Sequence, residues 1–196
     1  MIHVLILAAG QSRRMGGADK LAQLVDGVPL LRKQAECALG LDLPVTVALP
    51  PKRQREELLE DLDVDIFTSA CSLEGMSGTL RAAFGHLADA DAILVVLADL
   101  PELETDDLRA VLNARKTAPK ALVWRGMTED GKPGHPILID DALFPAMAKL
   151  KGDTGGQDAL AAAGDRVHLV PLPGTRARRD LDTPEDWAAW RAETGR

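Results

Sequence analysis

The chain has 196 residues, 46% of them hydrophobic and 27% charged, the balance of a soluble globular protein, with length for one compact α/β core and a cleft. A net charge of -7 repels polyphosphate backbones over long range, so nucleic acid is not an expected partner. Cys37 and Cys71 show no CxxC or Cys/His spacing, which argues against a disulfide framework or zinc site and fits free thiols in a reducing cytoplasm.

The first element, residues 2–8, is apolar at nearly every position, as in a parallel strand covered on both faces. It is too short to cross a membrane and runs straight into a polar glycine loop, so no membrane association is expected. Residues 44–49, 64–67 and 92–98 repeat the strand signal, and helical patterns fall between them at 29–39, 51–61 and 76–88. This alternation predicts a three-layer α/β/α fold with a mainly parallel sheet and right-handed crossovers. Further on, Thr105 is a candidate cap for the helix DDLRAVLNARK. Residues 121–125 and 136–139 read as strands flanking the GKPGH turn, a hairpin or crossover reaching over the cleft. Helices at 141–150 and 157–163, a strand at 166–171 and a terminal helix from Pro184 complete the chain.

Ligands of open α/β sheets bind beyond the carboxyl ends of the strands, where the loop after the first strand lies. That loop, LAAGQSRRMGGADKL, combines Gly10, Gly16 and Gly17 with Arg13, Arg14 and Lys20. Glycine permits close backbone approach and the cations supply charge-assisted hydrogen bonds, so the loop suits a polyphosphate as well as it suits an exposed turn. Neither GxGxxG nor GxxxxGK[ST] is met, which lowers the dehydrogenase and P-loop kinase readings. The run LADLP places Asp99 at the edge of a very apolar strand, as a metal ligand or a turn residue before Pro101. Mg²⁺ takes one or two carboxylates together with phosphate oxygens and water.

The whole first string resembles the LAAGxSxRMGxxKL signature of the MobA-like NTP transferases, the molybdenum cofactor nucleotidyltransferases. The resemblance implies a nucleotide-diphospho-sugar transferase-like (GT-A, Rossmann-like) fold over residues 1–196, with a nucleotide-binding half at 1–100 and an acceptor-binding half at 101–196. It implies that Leu7, Ala8, Ala9, Gly10 and Ser12 line the nucleotide, with Ala9 and Gly10 at base and ribose. Arg14 and Lys20 would hold the phosphates, and these two with Asp99 would form the catalytic set. EGMSGTLRAAF looks like the family segment facing the base, which brings in Gly75, Ser77 and Thr79, although both hydroxyls also suit a helix start. Ala9 and GMSGTL resemble the relatives that use CTP rather than GTP.

Two later segments, GHP and GDTGG, resemble the acceptor side of the cleft and bring in His135 and Asp153. His135 alone reads more readily as structural, and Asp153 equally as a helix cap. The family pattern continues GAR where this chain has Gly156 and Gln157, so one anion contact is missing. DLDTPED resembles the family's closing motif, in which Asp180, preferred to Asp182, would complete a Mg²⁺ site with Asp99, the alternative being that these aspartates cap the last helix. Arg176, Arg178 and Arg179 read as a solvated charge run, and Trp124, Trp187 and Trp190 as packing residues. The resemblance thus implies Mg²⁺-dependent transfer of a nucleotide from CTP to molybdopterin, with a molybdenum hydroxylase apoenzyme as a further partner. Set against it stand a guanylyltransferase, a transferase to another phosphorylated acceptor, and a non-catalytic nucleotide- or cofactor-binding carrier.

Overall fold

A computed structural model describes residues 1–52, 55–152 and 156–196. In chain order its elements are β1 (Ile2–Leu7), a two-strand hairpin of β2 (Leu24–Val25) and β3 (Val28–Pro29), α1 (Leu30–Leu39), β4 (Val45–Leu49) and β5 (Asp65–Thr68). Next come α2 (Met76–His86), β6 (Ala92–Leu97), α3 (Thr105–Thr117), β7 (Val123–Met127), β8 (Pro133–Asp140), α4 (Phe144–Met147), α5 (Gln157–Ala161), β9 (Val167–Pro171) and α6 (Pro184–Thr194). Seven strands form one sheet in the order β5-β4-β1-β6-β8-β7-β9. The pairs β5/β4, β4/β1, β1/β6 and β7/β9 are parallel, whereas β8 is antiparallel to both β6 and β7. The predicted hairpin of β7 and β8 is therefore present, but it is built into the sheet beside β6 rather than laid over the cleft.

Strand residues alternate between two cores, which creates the three layers. Val4, Ile6, Leu94 and Val96 join the face holding Leu31, Val111 and the buried indoles of Trp124, Trp187 and Trp190. Leu5, Ile93 and Val95 point the other way, onto Leu80, Phe84, Leu143 and Met147. The three tryptophans are packing residues, as their sequence context predicts.

One register sets up the cleft. Ile2 faces Ala92 and Leu7 faces Leu97 across β1 and β6, so both strands end level. The loop after Leu7 and the turn carrying Asp99 consequently leave the sheet side by side.

Several predicted helices are shorter than the sequence pattern implies. At 51–61 the described residues give one 3₁₀ turn, Glu56–Leu59, preceded by Arg55 at φ −115° and ψ 4°. At 141–150 a 3₁₀ turn leads into the short α4, where Pro145 supplies no backbone donor. The cap of α3 is Glu104, whose N–H is accepted by the Asp107 carboxylate at 3.0 Å; the Thr105 hydroxyl instead donates to the Cys37 carbonyl at 3.0 Å. On α6, Thr183 accepts from the Asp186 N–H at 3.1 Å and Asp186 from the Thr183 N–H at 2.9 Å. This reciprocal cap leaves the carboxylates of Asp180 and Asp182 available for other contacts.

Candidate functional site

At the carboxyl ends of β1 and β6 lies a cleft of about 520 Å³, within the usual range for a small-molecule site. Its glycine-loop wall includes Leu7, Ala8, Ala9, Gly10, Ser12 and Arg14, and its α2 wall includes Gly75, Met76 and Thr79. Lys20, Asp99, Asp180 and Asp182 stand between these walls. Nearly all the nucleotide-side residues read from the sequence are thus gathered in one place, although they span 175 positions of chain from Leu7 to Asp182.

The charged centre is Lys20. Its Nζ donates to Asp99 Oδ2 and to Asp182 Oδ1, each at 2.6 Å. Its side chain is 12% exposed, against 21% and 32% for the two carboxylates. Burial works against the ammonium charge, but the two carboxylates outweigh it and hold the Lys20 pKa above the ordinary lysine range. Arg14, on the exposed rim, donates to the second oxygen of Asp182 at 2.8 Å. Asp180 shares the cavity, and its carboxyl pKa is pushed up by burial and by the negative charges of Asp99 and Asp182. Residues 180–182 belong to no helix or strand; Leu181 is buried while both its neighbours line the cleft.

The loop itself is held by a residue that sequence reasoning missed. Arg55 is 4% exposed. Its guanidinium forks onto Asp19, with Nε to Oδ2 at 2.6 Å and Nη2 to Oδ1 at 2.8 Å. It also donates to the Ala8 carbonyl and, at 3.2 Å, to the Ser12 hydroxyl. Ser12, at φ 48°, donates to Asp19 and accepts from the Lys20 N–H. Burial pulls the Asp19 pKa up, yet Arg55 and the Leu21 N–H more than offset it and leave the carboxyl below the usual range. Three points of the loop, at Ala8, Ser12 and Asp19, are therefore tied to one side chain from beyond β4. A lone arginine between two helix-like turns carries no motif, so the sequence offered no signal for it.

On the α2 wall, Gly75 takes φ 92° and the Thr79 hydroxyl donates back to the Gly75 carbonyl at 3.2 Å. Ser77 is fully buried and does not line the cleft. Gly78 has a packing role: a Cβ there would lie 1.9 Å from the Cys71 carbonyl oxygen, so α2 can approach the preceding 3₁₀ turn, Ala70–Glu74, because that atom is missing. His135 does not line the main cleft but a smaller chamber of about 120 Å³ beside it, together with Arg125 and Ile137. Asp153 lies outside the described residues. Arg176 pairs with Glu104 and Asp107, and Arg179 with Glu102 and Glu193. These two arginines fasten the C-terminal segment to α3 and α6 rather than forming a free basic patch.

Among the described residues, no three His, Cys, Asp or Glu side chains are grouped as a ready metal site. A divalent ion nonetheless has a fitting donor: Asp99 Oδ1 is buried with no hydrogen-bond partner, and its other oxygen faces Lys20. Hard carboxylate oxygens of this kind match Mg²⁺, with phosphate oxygens and water completing an octahedron. Chemically, the cleft offers Arg14 and Lys20 to phosphate oxygens beside a backbone-rich loop, while its carboxylates balance those cations and call for a divalent ion to offset the charge of a polyphosphate. No helix among the described residues is long and apolar enough to cross a membrane.

The MobA-like NTP transferase domain matches residues 4–167. The purine catabolism protein PucB of Bacillus subtilis is 28% identical, over 93% of this chain and 92% of its own. A probable molybdenum cofactor guanylyltransferase of Synechococcus elongatus is 31% identical, over 94% of this chain and 95% of its own. The crystal structure of Rv0371c from Mycobacterium tuberculosis superposes with a TM-score of 0.79 at 23% identity, covering 96% of this chain and 95% of that one, and so shares its fold.

Proposed function

We propose that this chain, which belongs to the MobA-like NTP transferase family of nucleotidyltransferases, transfers a nucleoside monophosphate from CTP to a molybdopterin-type acceptor and releases pyrophosphate. The observation that carries the reading is the Lys20 ammonium held between Asp99 and Asp182 at the floor of a cleft walled by the glycine loop. An ammonium so placed can pass from its carboxylates to phosphate oxygens as negative charge develops on them, the electrostatic role a transfer reaction requires.

In the proposed reaction an oxygen of the acceptor's terminal phosphate attacks the α-phosphorus in line. The new O–Pα bond forms as the Pα–O bond to the β-phosphate breaks, and pyrophosphate leaves with the bonding electrons. Lys20 and Arg14 stabilise the negative charge growing on the phosphate oxygens, and the Arg55-braced loop fixes the triphosphate so that orientation is settled before reaction. Mg²⁺, when bound by Asp99 with Asp182 or Asp180, would supply further charge neutralisation on the phosphates. No covalent protein intermediate is required.

Preference for CTP rests on Ala9 and the GMSGTL segment, whereas the name of the Synechococcus relative favours GTP as a second reading. Pyrophosphate release with molybdopterin and CTP, GTP or ATP, with and without Mg²⁺, separates these. Turnover with CTP alone supports the first reading, and faster turnover with GTP replaces it with the second. Nucleotide binding without pyrophosphate release under any of these conditions, unaltered by Asp99→Ala, would return the chain to a carrier role. Transfer of the product to a molybdenum hydroxylase apoenzyme is a further part of the proposal, checked by reconstitution of hydroxylase activity.

A further inference from the structure

Lys20 and a divalent ion compete for the same oxygens. The Lys20 ammonium takes Asp99 Oδ2 and Asp182 Oδ1, each at 2.6 Å, and Arg14 takes Asp182 Oδ2 at 2.8 Å. Three of the four carboxylate oxygens of this pair of aspartates therefore already face a cation, and the fourth, Asp99 Oδ1, is buried without a hydrogen-bond partner. An ion held by these carboxylates meets the ammonium at close range, where like charges repel.

The two buried cations of the loop region differ in how readily they change partners. Arg55 forks onto Asp19 in a rigid two-point geometry. Lys20 is a compact point charge on a flexible four-carbon stem. The root of that stem is fixed. The Lys20 N–H donates to the Ser12 hydroxyl at 3.2 Å, the Leu21 N–H to Asp19 at 3.0 Å, and the Gln23 N–H to the Lys20 carbonyl at 3.4 Å. The ammonium can thus exchange partners by rotation of its stem while the loop stays in place. Its departure is costly unless another anion receives it: the side chain is 12% exposed, and an ammonium withdrawn from both carboxylates is an uncompensated buried charge. Phosphate oxygens in the cleft that Lys20 lines are acceptors of the right kind.

We infer that Lys20 is a resident counter-cation that keeps divalent ions off Asp99 and Asp182 until a nucleotide draws the ammonium onto its phosphates. The inference rests on the proposed reading of the cleft as a triphosphate and Mg²⁺ site, and adds an order to it. A divalent ion alone has to expel the ammonium without supplying an anion to receive it. An ion that arrives with a triphosphate brings the replacement partner, so metal and nucleotide enter together.

The test is Mn²⁺ binding to the full chain without nucleotide, read from the loss of the free Mn²⁺ signal in electron paramagnetic resonance. Lys20→Met is expected to bind Mn²⁺ at least about tenfold more tightly than the wild type, because a unit charge beside the two carboxylates is gone. Adding Asp99→Asn to Lys20→Met should abolish the gain. Arg14→Met, which removes an exposed rim cation from Asp182 alone, should change the affinity less than about threefold. Thermal melting shows which variants are folded. A measurement on the wild type is independent of them: the ¹⁵Nζ resonance of Lys20 should stay in place with Mg²⁺ alone and shift when CTP or GTP is added with Mg²⁺. Equal Mn²⁺ affinity in wild type and folded Lys20→Met, a gain that survives Asp99→Asn, or an equal gain from Arg14→Met would overturn the inference. So would a Lys20 resonance displaced by Mg²⁺ alone or unmoved by Mg²⁺ with either nucleotide. Pyrophosphate release is measured separately. Its absence with every nucleotide, with the Asp99-dependent gain in Mn²⁺ binding intact, would overturn the transfer reading and leave the competition between Lys20 and the metal standing.

Discussion

The two sides of the substrate space treat charge in opposite ways. On the nucleotide side every buried cation is matched before any ligand arrives: Lys20 by Asp99 and Asp182, Arg55 by Asp19. In the adjoining chamber Arg125 donates to the Gly134 carbonyl and has no acidic partner among the described residues, and its neighbour His135 is neutral near pH 7. A polyphosphate brings several negative charges and its own cations, so a site that exchanges ion pairs can receive it without passing through a large unbalanced charge.

The difference can be broken most forcefully at Lys20. Lys20→Ala is expected to lower kcat/KM by about 10²–10³-fold, the usual cost of removing one donor aimed at developing charge, as measured by pyrophosphate release. A change below threefold would mean that its carboxylate clamp is structural. Arg55→Met should act chiefly through KM for the nucleotide, raising it about tenfold, and should destabilise the fold by about 1.5–3 kcal/mol in urea, the range for hydrogen bonds to charged groups. Arg55→Lys should not restore the nucleotide KM, because an ammonium cannot span Asp19, Ala8 and Ser12 together. Gly78→Ala should cost about 1–3 kcal/mol by overpacking against the Cys71 carbonyl, and should lower the melting temperature without changing the ratio of CTP to GTP turnover.

The smallest effect sharpens the chamber side. Burial and the Arg125 charge lower the His135 pKa to about 4 in the folded state, below the ordinary 6.5 of an exposed imidazole, so the unfolded state takes up the proton more readily. The stability it confers is complete above pH 6.5 and is lost progressively as the pH falls toward 4. His135→Asn should therefore flatten the decline of melting temperature between pH 7 and pH 5, and an unchanged slope would show that the imidazole is not buried neutral.

What the sequence revealed follows the same division. The nucleotide wall was legible because one continuous string, residues 7–21, carries the glycines and cations, and because Asp99 ends the most apolar strand. The strand pattern was legible for the same reason, since fully covered strands are continuous apolar runs. The antiparallel insertion of β8 beside β6 was not, because alternation of elements says nothing about strand order. Arg55 was invisible: it lies between turns, and its worth comes from partners 36 and 47 positions away. The chamber was equally hidden, its walls drawn from β6, β7, β8, α2, α4 and α5 with no local spacing to mark them. Thr105 misled because a hydroxyl beside acidic residues fits a cap, whereas its oxygen holds the end of α1.

Arg55 also determines how the molecule comes apart. A surface glycine loop ordinarily opens on its own at little cost, but this one cannot swing away without exposing a desolvated ion pair and an unpaired carbonyl at the end of β1. The loop is therefore expected to open only together with Arg55, and the Lys20 and Leu21 amides, which donate to Ser12 and Asp19, should exchange with solvent more slowly than those of an unbraced loop. Through that brace the opening of the glycine loop is tied to the end of β1.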